Sequence, residues 1–307
     1  MLRGSRLLME DGRTAERQTF LSWTCRIVLF FAVAACMRAD DCCGDTIKSL
    51  SKASTSRAAK EDAIHGIPFR NLSVDAQQRI ASVVRKPTMF RRMPITAIEC
   101  DPEMHRFSVR HPEVIVGIWQ LMGITQVKAQ RIAPYVLKCD DGVGTVTDME
   151  LIYGDSDTHI IFCEGSYDGP LFRKPLTGRC VLVLKSGAKQ NGSEFQITNM
   201  LDVFLQIDHA GIDIFAKTLH PLLGKSADVN FIESMKFVSR MSDAAETNGQ
   251  GMQHMAGRLK DLDPDVNKRF REVVSNVNAR HAQMVSQPVK TSQTAQTTRR
   301  TAAATQR

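Results

Sequence analysis

Between Glu164 and Phe172 the chain reads EGSYDGPLF, its densest run of chemically distinctive residues. Two glycines and a proline fix a wide turn that holds Tyr167, Asp168, Phe172 and Arg173 together. A ligand-binding loop has this form. So does a plain turn whose aspartate bonds its own backbone, and both readings stand. A hydrolase or cyclase would need a base beside a carboxylate, and Asp168 with His209 or His220 is the set that could supply it.

Other chemistries fail on spacing. His65, His105, His111, His159, His209, His220, His254 and His281 are scattered, with no two at i and i+4 on one helix. Gly224-Lys225-Ser226 ends like a phosphate loop, but Leu219 stands where the motif needs glycine, and a helical pattern precedes it instead of a strand. Gly142-Val143-Gly144 is a lone glycine pair in a hairpin turn. Asp155 and Asp157 begin like a calcium loop, yet Ile160 and Ser166 occupy the positions of its required glycine and glutamate. These absences predict neither a cofactor nor a metal.

The eight cysteines contain no C-x-x-C pair, so no zinc ribbon or thioredoxin motif is expected. Cys100, Cys139, Cys163 and Cys180 read as small buried hydrophobes. If 170–173 is a hairpin tip, Cys163 and Cys180 are equidistant from its centre and face each other across two strands. Cys36 follows Ile27 to Ala35, nine apolar residues preceded by five arginines. A membrane span needs about 20, so the run reads as an export signal. Cleavage after Ala34, or lipidation at Cys36 in a lipobox, would place the chain in the periplasm or cell envelope. Membrane contact is then expected only through signal or lipid.

The formal charge of +7 is misleading. The first 26 residues carry +2 and the segment from Ser286 carries +4, leaving +1 for everything between. A nucleic-acid binder would carry its charge on the folded face, so no nucleic-acid partner is expected.

The elements that must position these residues follow from periodicity. Ser73 caps a helix from Val74 to Arg85, and Ile95 to Glu99 is a strand. Asp101-Pro102-Glu103 and His111-Pro112-Glu113 each open a short helix, the second closed by Gly123. Six strands follow, over 126–132, 135–140, 145–153, 159–167, 179–185 and 195–207. The last alternates most clearly, with Phe195, Ile197, Leu201, Val203, Leu205 and Ile207 on one face and Gln196, Thr198, Asp202 and Gln206 on the other. A helix is expected from Ile212 to Leu219, then a longer one with Phe231, Met235, Val238, Met241 and Ala245 on its stripe. A short segment with Met252 and Met255 comes next, and Asp263-Pro264-Asp265 opens a last helix whose stripe is Val266, Phe270, Val273, Val274 and Val277. The expected divisions are an export signal over 1–36, a flexible linker over 37–72, an α+β domain over 73–260, a C-terminal helix over 261–285 and a disordered tail over 286–307.

This element order resembles the helix-grip fold of START-like lipid-transfer and polyketide-cyclase-like proteins. The resemblance implies a curved antiparallel sheet of about seven strands wrapped on a long C-terminal helix; the further C-terminal helices depart from it. The segments RHPEVIVGIWQLMGIT, EGSYDGPLF, GRCVLVLKSG, LLGKSADVNFIES and NGQGMQHMAG resemble an uncharacterised family of exported planctomycete-type bacterial proteins. That similarity implies export and a shared domain, and brings no activity. The favoured expectation is an exported binding module that holds a lipid-like apolar molecule against Leu201, Val203, Leu205, Met235, Val238 and Met241, with Tyr167 and Asp168 at its loop. Alternatives are an envelope interaction protein without ligand, and a hydrolase or cyclase.

Overall fold

The computed structural model describes residues 47–169, 175–192, 194–208 and 220–286, except the side chains of 220–223. The export signal with Cys36, Phe172, Arg173, His209, the helix expected after Gly211 and the tail from 287 lie outside them.

The fold is α+β, with nine strands among the described residues in one curved antiparallel sheet. The strands are β1 (Ile47–Ser49), β2 (Met89–Arg92), β3 (Thr96–Glu99), β4 (Lys128–Ala133), β5 (Val136–Asp140), β6 (Thr145–Gly154), β7 (Thr158–Tyr167), β8 (Leu176–Asn191) and β9 (Glu194–Ile207). The six from β4 to β9 pair in chain order, as short connections between antiparallel neighbours require. The long free side of β9 is taken by β2 along one half and β3 along the other, and β1 adds itself outside β3. Bulges in β4 near Arg131 and in β6 near Leu151 bend the sheet.

Helices cover both faces. They are α1 (Arg57–His65), α2 (Val74–Val84), α3 (Pro102–Arg110), α4 (Pro112–Leu121), α5 (His220–Thr247), α6 (Gly249–Arg258) and α7 (Pro264–Ser286). On the inner face Leu182, Leu184, Ile197, Leu201 and Val203 form one continuous core with Phe231, Met235, Val238 and Met241 of α5. On the outer face Phe162, Val181, Val183 and Phe204 pack under Ala63 of α1 and Ile80, Val83 and Val84 of α2.

Local chemistry sets the helix starts. Ser73 accepts from Ala76 N at 3.2 Å, and Asp101 accepts from Glu103 N at 2.8 Å. Arg280 of α7 reaches the same Asp101 carboxylate at 2.8 Å, so one side chain caps α3 and fastens α7. The start of α5 is pinned where Asp228 accepts from Arg91 Nε of β2 at 2.8 Å. Further along α5, the Ser239 hydroxyl donates to Glu99 O at 2.6 Å and the Ser242 hydroxyl accepts from Asp101 N at 2.8 Å.

Three expectations are corrected. The stretch 47–72, expected within a flexible linker, carries β1, α1 and a 3-10 turn (Phe69–Asn71), and buries Ala63, Ile67 and Leu72. The alternation predicts one buried face on β9, yet α1 and α2 pack on its polar face too. Asp202 is fully buried there and accepts from Arg92 at 2.7 and 2.9 Å. The last helix is no separate unit: Val266, Phe270, Val273, Val274 and Val277 belong to the same core as α5 and the inner sheet face.

Candidate functional site

The inner face changes character along its length. Leu201 and Val203 on β9 and Met235, Val238 and Met241 on α5 are each 4 % exposed or less. They fill a core where the alternation pattern predicts a ligand. Among the described residues, half-burial begins one row further on, at Leu205, the sixth residue of that set. Cys180, Gly165, Gly178 and Ile207 are half-buried as well; Ile161, also half-buried, belongs to the row of Leu182 and Val203.

Register shows why these lie together. One row across the sheet runs Leu137, Met149, Cys163, Cys180, Leu205, Met89. The next runs Cys139, Thr147, Gly165, Gly178, Ile207. Gly165 and Gly178 are directly opposed, so two neighbouring strands lack a side chain at the same level. A Cβ at Gly165 would sit 2.6 Å from Val146 O, and one at Gly178 would sit 3.0 Å from Gln206 O. The bare strip is therefore imposed by adjacent backbone. Beyond it stand Tyr167, buried, and Leu176, half-buried and opposite it. Around this glycine pair Cys180, Leu205 and Ile207 are half-buried, and Thr147 Oγ1 would lie 2.5 Å from a Cβ at Gly165, so a hydroxyl stands over one of the two glycines.

Tyr167 thus shares a face with Leu205. Asp168 does not join them: it is exposed, and its backbone N–H donates to Gly144 O at 2.8 Å, locking the β5–β6 turn onto the end of β7. Sequence reasoning missed Gly165, Gly178 and Ile207. The signal was present, since Gly165 and Gly178 are equidistant from the same hairpin centre that pairs Cys163 with Cys180, and that pairing is the observed register.

The opposite end of the inner face is closed by polar groups under α3. His105 Nε2 lies 2.7 Å from Asn199 Oδ1, which also accepts from the Ser186 hydroxyl at 3.2 Å. Arg110 Nε donates to His159 Nε2 at 3.1 Å, leaving His159 Nδ1 buried without a partner. Burial pushes both imidazoles down to about 4, so both are neutral at pH 7. This cluster seals the sheet–helix interface at one end, whereas the opposed glycines lie at the other.

Of the expected base and carboxylate only Asp168 is described; His209 and the side chain of His220 are not. His111 Nδ1 lies 3.3 Å from Glu113 Oε1, but Arg131 donates to that same oxygen at 2.6 and 2.8 Å. The trio is an ion-paired joint between α4 and β4. On the outer face, Lys138, Asp148, Glu164 and Arg179 form a charged row across β5 to β8, in a shallow cleft of about 450 Å³. The two acids stand side by side in the middle of the row, with a base at each end.

No family model and no curated protein matches the chain. Among solved structures it is similar to the di-domain ARO/CYC BexL from the BE-7585A biosynthetic pathway, at 12 % identity and a TM-score of 0.32. The match covers 60 % of this chain and 58 % of that one. So loose a superposition carries no argument about function.

Proposed function

We propose that this protein is a binding module that takes an apolar, lipid-like small molecule on the inner face over Gly165 and Gly178. The observation that carries the proposal is the step along the inner face, from packed Leu201 and Val203 to half-buried Cys180, Leu205 and Ile207. A sheet face that existed only to be filled would stay as tightly packed there as under α5. An apolar pocket with few polar groups is the usual form of a small-molecule site. Export and membership of the planctomycete-type family belong to the same proposal, and rest on the short apolar run before Cys36 and on segments such as RHPEVIVGIWQLMGIT and GRCVLVLKSG.

A fluorescent fatty-acid analogue titrated against the full chain tests the binding. Saturable binding is expected. The substitutions Leu205→Trp and Ile207→Trp, which fill the space beside Gly178, should weaken it at least tenfold while leaving the far-UV circular dichroism unchanged. Equal binding by wild type and both variants would dismiss the site.

An interaction scaffold is the second reading. It draws on edge strand β4 and its turn, where Ile132 and Tyr135 are 52 % and 65 % exposed.

A further inference from the structure

We infer that Cys163 and Cys180 form a redox-active dithiol in the sheet, closed to a disulfide by an external disulfide oxidant. The inference rests on strand geometry and stands whether or not the inner face binds a ligand.

The two residues are direct partners across β7 and β8 and share the inner face. The type of pair can be read from the backbone. In this register Ser186 is opposite Asp157, and Ser186 N donates to Asp157 O at 2.7 Å. Cys163 and Cys180 stand six residues further along each strand with no bulge between, an even step, so they too occupy a hydrogen-bonded position. Such pairs hold their Cα atoms about 5.5 Å apart. A disulfide spans about 4.4 to 6.8 Å, most often about 5.5 to 6 Å. The Cα spacing fits, while the Cβ atoms of such a pair, about 5.5 Å apart, must draw in to about 3.5 to 4.5 Å as the bond forms.

Cys180 is the somewhat more exposed partner, and the inferred order of reaction starts with it. Cys180 is half-buried beside the glycine strip, while Cys163 is 8 % exposed. Burial pushes the Cys163 thiol up to about 12 and the Cys180 thiol well above its ordinary value, so each reacts through a minor thiolate population. Cys180, the more exposed one, attacks the oxidant. With glutathione disulfide, the Cys180 thiolate bonds one glutathione sulfur and expels the other as a thiolate, which takes up the proton Cys180 lost. Cys163 then loses its proton, attacks Cys180 Sγ and expels the second glutathione, which is protonated in turn. Two protein thiols are oxidised, one glutathione disulfide is reduced to two thiols, and a Cys163–Cys180 bond remains.

The test is equilibration of the native full chain with glutathione disulfide, followed by denaturation, alkylation of the remaining thiols and peptide mapping. The expected product is a cross-linked peptide pair joining Cys163 to Cys180, lighter by two hydrogens than the reduced pair. Cys163→Ser should trap glutathione on Cys180, and Cys180→Ser should leave Cys163 free. Recovery of both cysteines alkylated in the wild-type chain overturns the inference, and so does glutathione found on Cys163 in place of Cys180. If the serine variants fail to fold, the wild-type map alone decides.

Discussion

Several buried side chains are held in one protonation state by their surroundings, and the histidines under α3 make stability depend on pH for that reason. His105 and His159 are neutral in the fold because burial penalises their charge, and Arg110 adds a neighbouring positive charge to His159. In the unfolded chain each titrates near its ordinary value of 6.5. The unfolded state therefore binds more protons between about pH 4 and about pH 6.5. The stabilisation is fully present above that window and is lost as pH falls through it, at a cost of order 3 kcal/mol per histidine. Urea melts should show the wild type losing more stability between about pH 7 and about pH 4.5 than His159→Gln does. Parallel pH curves for the two proteins would contradict this assignment. The buried histidines were not legible as such in the sequence, because burial here depends on where α3 lies over β7 and β9. The Asp101 cap was legible, since proline and an acid follow it directly.

At the scale of elements, periodicity served where one face alone is buried. The stripe of α7 is buried at every expected position, and α2, α4, β4 to β7 and β9 stand close to where alternation and capping put them, whereas β8 (Leu176–Asn191) runs well past the expected 179–185 at both ends. It served less well in two places. β2 (Met89–Arg92) is too short to show alternation, and it exists because β9 offers it a hydrogen-bonding edge. Leu201, Val203 and Leu205 have the same spacing and chemistry, and only the register of β8 decides which of them stands in the row next to the opposed glycines. The shared core of α5 and α7 has a measurable consequence. Phe270 is fully buried, and its ring stacks on Phe107 at 5.5 Å. Phe270→Ala should destabilise the chain by about 3 to 5 kcal/mol. Fluorescence of Trp119, which packs in that core, and far-UV circular dichroism should still report a single unfolding transition. Loss of α7 alone, with the tryptophan signal unchanged, would show that the last helix is energetically independent.

For the molecule as a whole, the proposed export makes a prediction about the mature chain. Its amino terminus is expected near Cys36, and intact-mass measurement of the envelope fraction should find residues 1–30 removed. A diacylglycerol mass on Cys36 would select the lipid-anchored form, and a full-length chain would refute export by this signal.

The closing of the sheet by β2 and β3 also bears on how the chain comes into being. Arg92 meets Asp202 across 110 residues, and Phe90 packs beside Phe204 with ring centroids 5.0 Å apart. A chain made or threaded from its amino terminus presents β2, β3 and the helices before them long before β9 arrives. During that interval Phe90 and the apolar side of α2 have only Ala63, Ile67 and Leu72 to rest on, without Phe162, Val181, Val183 and Phe204. Contacts this distant in sequence slow folding and leave apolar surface open to wrong partners. Arrival of β9 is thus the step that commits the molecule, and a ribosome-stalled or translocation-arrested chain ending before residue 194 is one that a holdase chaperone should retain.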